Sequence, residues 1–292
     1  MEEKYIVWHI EGGLGKNIAA TALLYSLADK HSDRKIVVVA SYPEVFLNHP
    51  SVYRVYRLGS TQYFYDDYIK DKDTIVFKHE PYYETNHILK HKHLIANWCK
   101  IMGLKYDNQL PFLNFNFVHQ RNSMKWQRDL PILVIQTNGG PLNSALEYSW
   151  TRDIPYNLAA QIVNKYKDTH YIVQICKPSS MHLPGAEVLD QPMSAMDMFT
   201  LLAVSDKRVL IDSSLQHAAA AMNLSSTVFW VGTSPINFGY SMHNNIVANK
   251  PTDTTKLIDS YLFDYSFEGL THECPYYSLE EMFNISQVLE KV

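Results

Sequence analysis

The sequence predicts an α/β chain made of two successive parallel-sheet units. Three observations predict it. Short apolar runs alternate with helix-length amphipathic stretches along most of the 292 residues. The first run, Lys4–Ile10, leads through a glycine-rich turn into a helical pattern and then a second apolar run, the strand–turn–helix–strand order of a βαβ unit. The rhythm breaks over residues 110–129 and restarts after Pro131, so a second such series follows the first.

Composition sets the limits. A hydrophobic fraction of 46% fills ordinary globular cores. A formal net charge of -4 provides no overall basic field for nucleic acid or an anionic membrane. The start, Met1-Glu2-Glu3-Lys4, lacks the basic start and long apolar stretch of a secretory signal. No segment offers the roughly 18 uninterrupted apolar residues of a membrane span. Cys99, Cys176 and Cys274 lie far apart, in no metal-ligand spacing, as suits a reducing compartment. A cytoplasmic protein with no transmembrane segment is expected.

In the first series, strands are expected at Lys4–Ile10, Lys35–Ala40, 52–57 and 74–78, with helices near 17–30 and 86–102. In the second, Ile132–Gln136, 170–176, Lys207–Ile211 and 226–231 read as strands. Helices are expected at 155–167, with Pro155 in the first turn, at Ala195–Val204 and at 213–222. The stretch 110–129 carries Pro111 and then Arg121, Lys125 and Arg128, and reads as an extended segment running into a linker. The expected domains are 1–128, 129–270 and a terminal segment, 271–292. In the last, Ser278-Leu279-Glu280-Glu281 forms a capping-box pattern ahead of Met282, Phe283, Ile285, Val288 and Leu289. One amphipathic helix is expected there, packing back toward the first lobe.

Residues 207–223 carry the clearest chemical signal. An apolar strand runs into Asp212-Ser213-Ser214, and a small-residue helix starts at once. Asp and Ser cap helix N-termini, and the amides and dipole of such a turn favour an anion, a pyrophosphate above all. In a parallel sheet this turn lies at the carboxyl edge, where ligands bind. His217, one turn on, is placed to reach a phosphate or a ribose. An ordinary capped helix with a packed histidine fits the same residues. The loop at 231–240 follows the next strand, with Gly232, Thr233 and Ser234 giving a hydroxyl-bearing turn stiffened by Pro235. It should lie beside the first.

The glycine loop Glu11-Gly12-Gly13-Leu14-Gly15-Lys16-Asn17 matches neither common nucleotide motif. A Walker loop needs a glycine where Ile10 stands and Ser or Thr where Asn17 stands. The dinucleotide fingerprint fails at Ile18. What remains is a tight turn that lets backbone approach a ligand at Gly13 and Gly15. Lys16 is available to a phosphate, or is a solvated lysine after a structural turn.

Residues 205–240 resemble the donor-binding half of glycosyltransferase family 9, the heptosyltransferase-like enzymes. The family shows Asp-(Ser/Thr)-Gly-x-x-His at a helix start, an Ala-rich helix, a strand and a Gly-Pro-Thr-x-Pro-like loop. Here these read Asp212-Ser213-Ser214-Leu215-Gln216-His217, Ala218 to Ala221, and Gly232-Thr233-Ser234-Pro235. Gly12-Gly13-Leu14-Gly15 with Ala20-Thr21-Ala22-Leu23-Leu24 is similar to the family's opening, and residues 43–55 to the stretch after its second strand. Trp150-Thr151-Arg152-Asp153-Ile154-Pro155 is similar to its donor-phosphate segment, with Arg152 at the basic position. The resemblance implies a GT-B architecture, two Rossmann-like lobes facing a central cleft. It implies inverting, metal-independent transfer from a nucleotide-diphosphate sugar to a hydroxyl acceptor, with no cofactor. Pyrophosphate charge would be met by helix amides and by Arg152 and Lys177.

Two positions depart from that pattern. Ser214 stands where the family has glycine. Lys16 stands where the family has the aspartate proposed as base, and a protonated lysine cannot take a proton. Glu11, in the same loop, is the favoured replacement, and Glu80, in Lys78-His79-Glu80-Pro81, the second. His9 reads as a packed strand residue. His87, His91 and His93 read as a solvated helix rather than a metal set, since His93 leaves the face shared by the other two. Tyrosines in 63–68 and Tyr82-Tyr83 suit either sugar or base stacking, or partly buried surface. The expected activity is sugar transfer onto a surface or capsular glycan. Transfer to a modified DNA base, with nucleic acid as a less favoured partner, and a non-catalytic nucleotide-sugar binder are the alternatives. A nicotinamide dehydrogenase is disfavoured by the missing fingerprint glycine.

Overall fold

The computed structural model describes residues 3–89, 91–114, 122–139, 150–251 and 274–292. Arg121, Gly140, Pro141 and the expected boundary at 270/271 lie outside the described residues. The chain divides into two compact units, Met1–Phe115 and Asn116–Val292.

The first unit is built on four parallel strands, β1 (Lys4–Ile10), β2 (Lys35–Ala40), β3 (Arg54–Arg57) and β4 (Asp73–Phe77), in the order β3-β2-β1-β4. Central β1 is apolar almost throughout because a strand flanked by parallel neighbours and covered on both faces meets no water. Its Trp8 meets Trp98 of the Leu94–Met102 helix edge to face, with ring centroids 5.8 Å apart. The expected helix over 86–102 is two pieces, Thr85–Ile88 and Leu94–Met102. His93 interrupts it by serving as N-cap of the second piece, its Nδ1 accepting the Ile95 amide at 3.2 Å. The helix after the glycine loop starts earlier than expected, at Leu14, and passes through a 3-10 turn at Thr21–Leu23.

The second unit has β5 (Ile132–Gln136), β6 (Tyr171–Ile175), β7 (Glu187–Leu189), β8 (Lys207–Ile211), β9 (Thr227–Trp230) and β10 (Asn244–Val247), all parallel, in the order β10-β9-β8-β5-β6-β7. Numbered within the unit and read from the β7 edge, this is 3-2-1-4-5-6, the order of a doubly wound Rossmann sheet. The four strands of the first unit run 3-2-1-4 in the same sense. Both units are therefore Rossmann-like, as expected.

The units divide earlier than the expected 128/129 boundary. The turn at Ser123–Trp126 packs on the Ala195–Val204 helix, and Arg128 reaches Glu187 at 3.3 Å and lies over the Tyr171 ring. These contacts bind residues 122–128 to the second unit.

The tail is a second correction. It is two short helices, Leu279–Met282 and Ile285–Lys291, because Asn284 caps the latter through its contact with the Gln287 amide. The expected Ser278 cap is present on the Glu281 amide. The apolar face lies within the second unit's core. Met282, Phe283 and Val288 join the cluster holding Leu158, Ile162 and Phe229. Tyr166 and Lys165 also donate to the Val292 carbonyl. The Tyr156–Tyr166 helix and β9 present apolar surface that this face completes. Among the described residues, no helix is long and apolar enough to cross a membrane.

Phe283 is 2% exposed and meets Phe229 edge to face at 5.5 Å. Phe283→Ala should therefore cost about 3–5 kcal/mol in urea unfolding of the second unit. A loss under 1 kcal/mol would contradict this placement of the tail.

Candidate functional site

In a doubly wound sheet the strand order reverses at one point, and the loops leaving the two strands there diverge to opposite sides. In the second unit that point lies between β5 and β8. The loops carry Thr137-Asn138-Gly139 on one side and Asp212-Ser213-Ser214 on the other. Ser213 does two jobs. Its hydroxyl caps the Ser214–Ala221 helix, accepting the Leu215 amide at 3.2 Å, and it donates to Gln136 Oε1 at 2.6 Å, tying the two exits together. The Leu215 amide, expected to face a phosphate, is thereby engaged by the cap.

The segment Thr151 to Ile154 crosses these exits. The Ile154 amide donates to Thr137 O at 2.9 Å, and the Gly232 amide donates to Thr151 O at 2.7 Å. A Cβ on Gly232 would stand 2.9 Å from Thr151 O, so glycine is required for this approach. A Cβ on Gly139 would stand 3.7 Å from the Arg152 Cδ, which places the arginine stem beside the β5 exit. Asp212 is 7% exposed. Burial pushes its carboxyl above the ordinary 3.8, against the opposing pull of the Arg152 charge and the Thr233 hydroxyl. Four of the expected residues, Arg152, Asp212, Gly232 and Thr233, thus meet Ser213 at one sheet edge. Ser214 begins the helix there, half-buried.

Lys177, just past β6, is buried, and its amide donates to Asn138 Oδ1 at 2.9 Å. Asn138 also bonds the Ser180 hydroxyl. His217 is turned into the protein. Its Nδ1 is 2.8 Å from the Tyr240 hydroxyl. Gln136 and Asn138 were not singled out in the sequence, although a polar Gln-Thr-Asn ending an otherwise apolar strand was a usable signal.

The first unit's reversal lies between β1 and β4, and a second constellation sits there. A cavity of about 220 Å³ is lined by His9, Glu11, Lys16, Lys78, Glu80 and Trp98, among others. Lys16, expected at a donor phosphate, has its side chain 5% exposed and its ammonium paired with Glu80 Oε2. It also lies 5.0 Å from the centre of the Tyr82 ring. The Tyr82 amide approaches Glu80 Oε1 at 3.4 Å. Glu11 is 53% exposed, with Lys78 3.9 Å away. Gly13 and Gly15 flank the start of the helix, Gly13 as its N-cap in extended conformation, and a Cβ at Gly13 would meet nothing within 4 Å. His9 lines the cavity. Burial, then the Lys78 charge, holds its ring below the ordinary 6.5.

His87 and His93 are buried rather than solvated and do not line this cavity; the His87 ring lies 4.9 Å from that of Tyr82, and burial drives His87 down to about 4. Among the described residues, no group of three or more His, Cys, Asp or Glu side chains is placed to hold a metal ion.

No protein-family model matches the chain, and no curated protein sequence does. Solved structures do. Over 98% of this chain and 97% of the other, it is similar to ADP-heptose lipopolysaccharide heptosyltransferase II of E. coli, with a TM-score of 0.64 at 12% identity. A glycosyltransferase family 9 structure from Veillonella parvula DSM 2008 matches 100% of this chain and 97% of its own, with a TM-score of 0.66 at 11% identity. The dodecameric iron-containing heptosyltransferase TibC, in complex with ADP-D-β-D-heptose, matches 99% of this chain and 74% of its own, with a TM-score of 0.62 at 14% identity. The fold is thus of the GT-B class. Within that class it is the fold of the heptosyltransferases and the family 9 structures.

The raised Asp212 carboxyl has a measurable consequence. The folded group keeps its proton to higher pH than the unfolded one. Its contribution to stability is therefore full below 3.8 and lost as pH rises through the folded value. Asp212→Asn lacks this loss. Its unfolding free energy relative to the wild type should rise as pH is raised from below 3.8 toward neutrality, measured by urea denaturation at each pH. A pH-independent difference would contradict the buried setting.

Proposed function

We propose that this chain is a glycosyltransferase that binds a nucleotide-diphosphate sugar on its second unit and transfers the sugar, with inversion, to a hydroxyl acceptor. The observation that carries this reading is the convergence of Arg152, Asp212, Ser213, Gly232 and Thr233 at the β5/β8 reversal point. Guanidinium and hydroxyl groups at a sheet's carboxyl edge suit a pyrophosphate. TibC, of the same fold, is described in complex with an ADP-linked heptose.

In this reading Arg152 and Lys177 offset the charge that builds on the leaving diphosphate, so no metal ion is required for that task. Fixed cations do this without reorganising during the reaction. Asp212 holds Arg152 in place. Gly232 lets the backbone of its loop close on the donor, and the Thr233 and Ser214 hydroxyls are further donors to it. His217 backs the helix through Tyr240. The first unit supplies the acceptor side, with Gly13 and Gly15 in its loop and the Glu11 and Glu80 carboxylates as the proton acceptors at hand. As acceptor we assign a surface or capsular glycan, by analogy with the lipopolysaccharide named for the E. coli enzyme of this fold.

Thermal unfolding of the purified chain against ADP, GDP, UDP and dTDP and their sugars tests this. A ligand bound only by the folded form raises the midpoint. One nucleotide class should do so, and Arg152→Ala should weaken its binding roughly 10- to 100-fold, as expected for loss of a charge-assisted hydrogen bond. Binding without any release of nucleoside diphosphate would favour a non-catalytic binder. No shift with any member, or unchanged affinity in Arg152→Ala, would remove the assignment.

A further inference from the structure

We infer that Glu80 is the catalytic base of the transfer and that Lys16 is its positioning residue, an assignment that rests on the glycosyltransferase reading above. The two carboxylates in the first unit's cavity differ in how they are held. Glu11 projects from the exposed loop, and its ionic neighbour among the described residues, Lys78, stands 3.9 Å away. Glu80 is held from both sides, with Lys16 on Oε2 and the Tyr82 amide at Oε1, and its side chain is 25% exposed. A base works best when its oxygen is fixed before the substrate arrives.

The two donors use half of the roughly four lone-pair sites of a carboxylate. The remaining sites of a partly exposed group are open to an acceptor. Glu80 is placed by its sequence as well. Pro81 follows it at the β4 exit and opens the 3-10 turn Pro81–Tyr83, which Glu80 caps. The carboxylate therefore stands at the strand edge where the first sheet reverses.

Lys16 fits the positioning role. Its stem passes under the glycine loop, where a Cβ at Gly12 would meet Lys16 Cδ at 3.4 Å. Its ammonium is enclosed by Glu80 and the face of Tyr82. A lysine so enclosed orients the carboxylate.

The step balances without a further reactant. The acceptor hydroxyl loses its proton to Glu80 as its oxygen forms the bond to the anomeric carbon. The bond from that carbon to the diphosphate oxygen breaks, and its electron pair leaves with the nucleoside diphosphate.

The test uses the full chain and the nucleotide sugar that most raises its unfolding midpoint, with nucleoside diphosphate release as the readout. Water replaces the acceptor where none is supplied. Glu80→Gln should lower kcat by about 10²- to 10⁴-fold while the midpoint shift with the sugar nucleotide stays within the wild-type range. Lys16→Met should lower kcat by roughly 10²-fold with little change in donor KM, and Lys16→Arg should recover part of it. Retained kcat in Glu80→Gln, or a loss in Glu11→Gln equal to or above that in Glu80→Gln, overturns the assignment. Equal losses in Lys16→Met and Lys16→Arg, tracked by a fall in unfolding midpoint, overturn the positioning role. If the wild type neither binds nor cleaves any sugar nucleotide, the underlying glycosyltransferase reading fails instead.

Discussion

The second unit depends on a pair of backbone hydrogen bonds made by one crossing segment. Ile154 donates to the β5 exit at Thr137, and Gly232 donates back to Thr151 from the β9 exit. Three loops far apart in sequence are thereby fixed at one edge. The guanidinium of Arg152 is presented from a backbone tied on either side by these bonds. Backbone pairs of this kind contribute about 1 kcal/mol each in net terms. Their larger effect is geometric, since a cationic side chain is only as well aimed as the chain that carries it.

The two Rossmann-like sheets obey the same topological rule. Each has one place where strand order reverses, and each gathers a set of polar and charged side chains there. In the second unit this is cationic and hydroxyl-bearing. In the first it is two carboxylates with two lysines, and one of each pair is tied to the other. An acid–base function suits the first set and a diphosphate suits the second. The sheets differ in the loops grafted on them, not in architecture.

Much of the fold was legible because it is local. β1, β2, β5 and β8 are apolar runs beside helix signals, and the Asp212-Ser213 turn announces its cap within a few residues. β7 and β10 escaped notice because they are three- and four-residue edge strands carrying Glu and Asn, with one neighbour each. The tail's amphipathic face was readable, but an apolar face does not name its partner. Arg152 was legible through resemblance, whereas the Gln136–Ser213 bond joins residues 77 apart. The Lys16–Glu80 pair spans 64. Spacing along the chain carries no information about such pairings. His217 was read either as a ligand group or as a packed histidine, and its hydrogen bond to Tyr240 depends on how a later loop folds back.

Gly12 stands at φ +94°, on the side of backbone space that side chains disfavour, directly over the lysine stem. Residue 12 and residue 16 are therefore not independent variables. Any larger residue at the first would strain the turn and set its side chain against the lysine stem. Any anion or small polar group at the second would leave Glu80 without its cation and the space under the turn unfilled. Change at this corner of the molecule is confined to concerted replacements, and a shift of charge from one wall of the cavity to the other has to be made by both walls together.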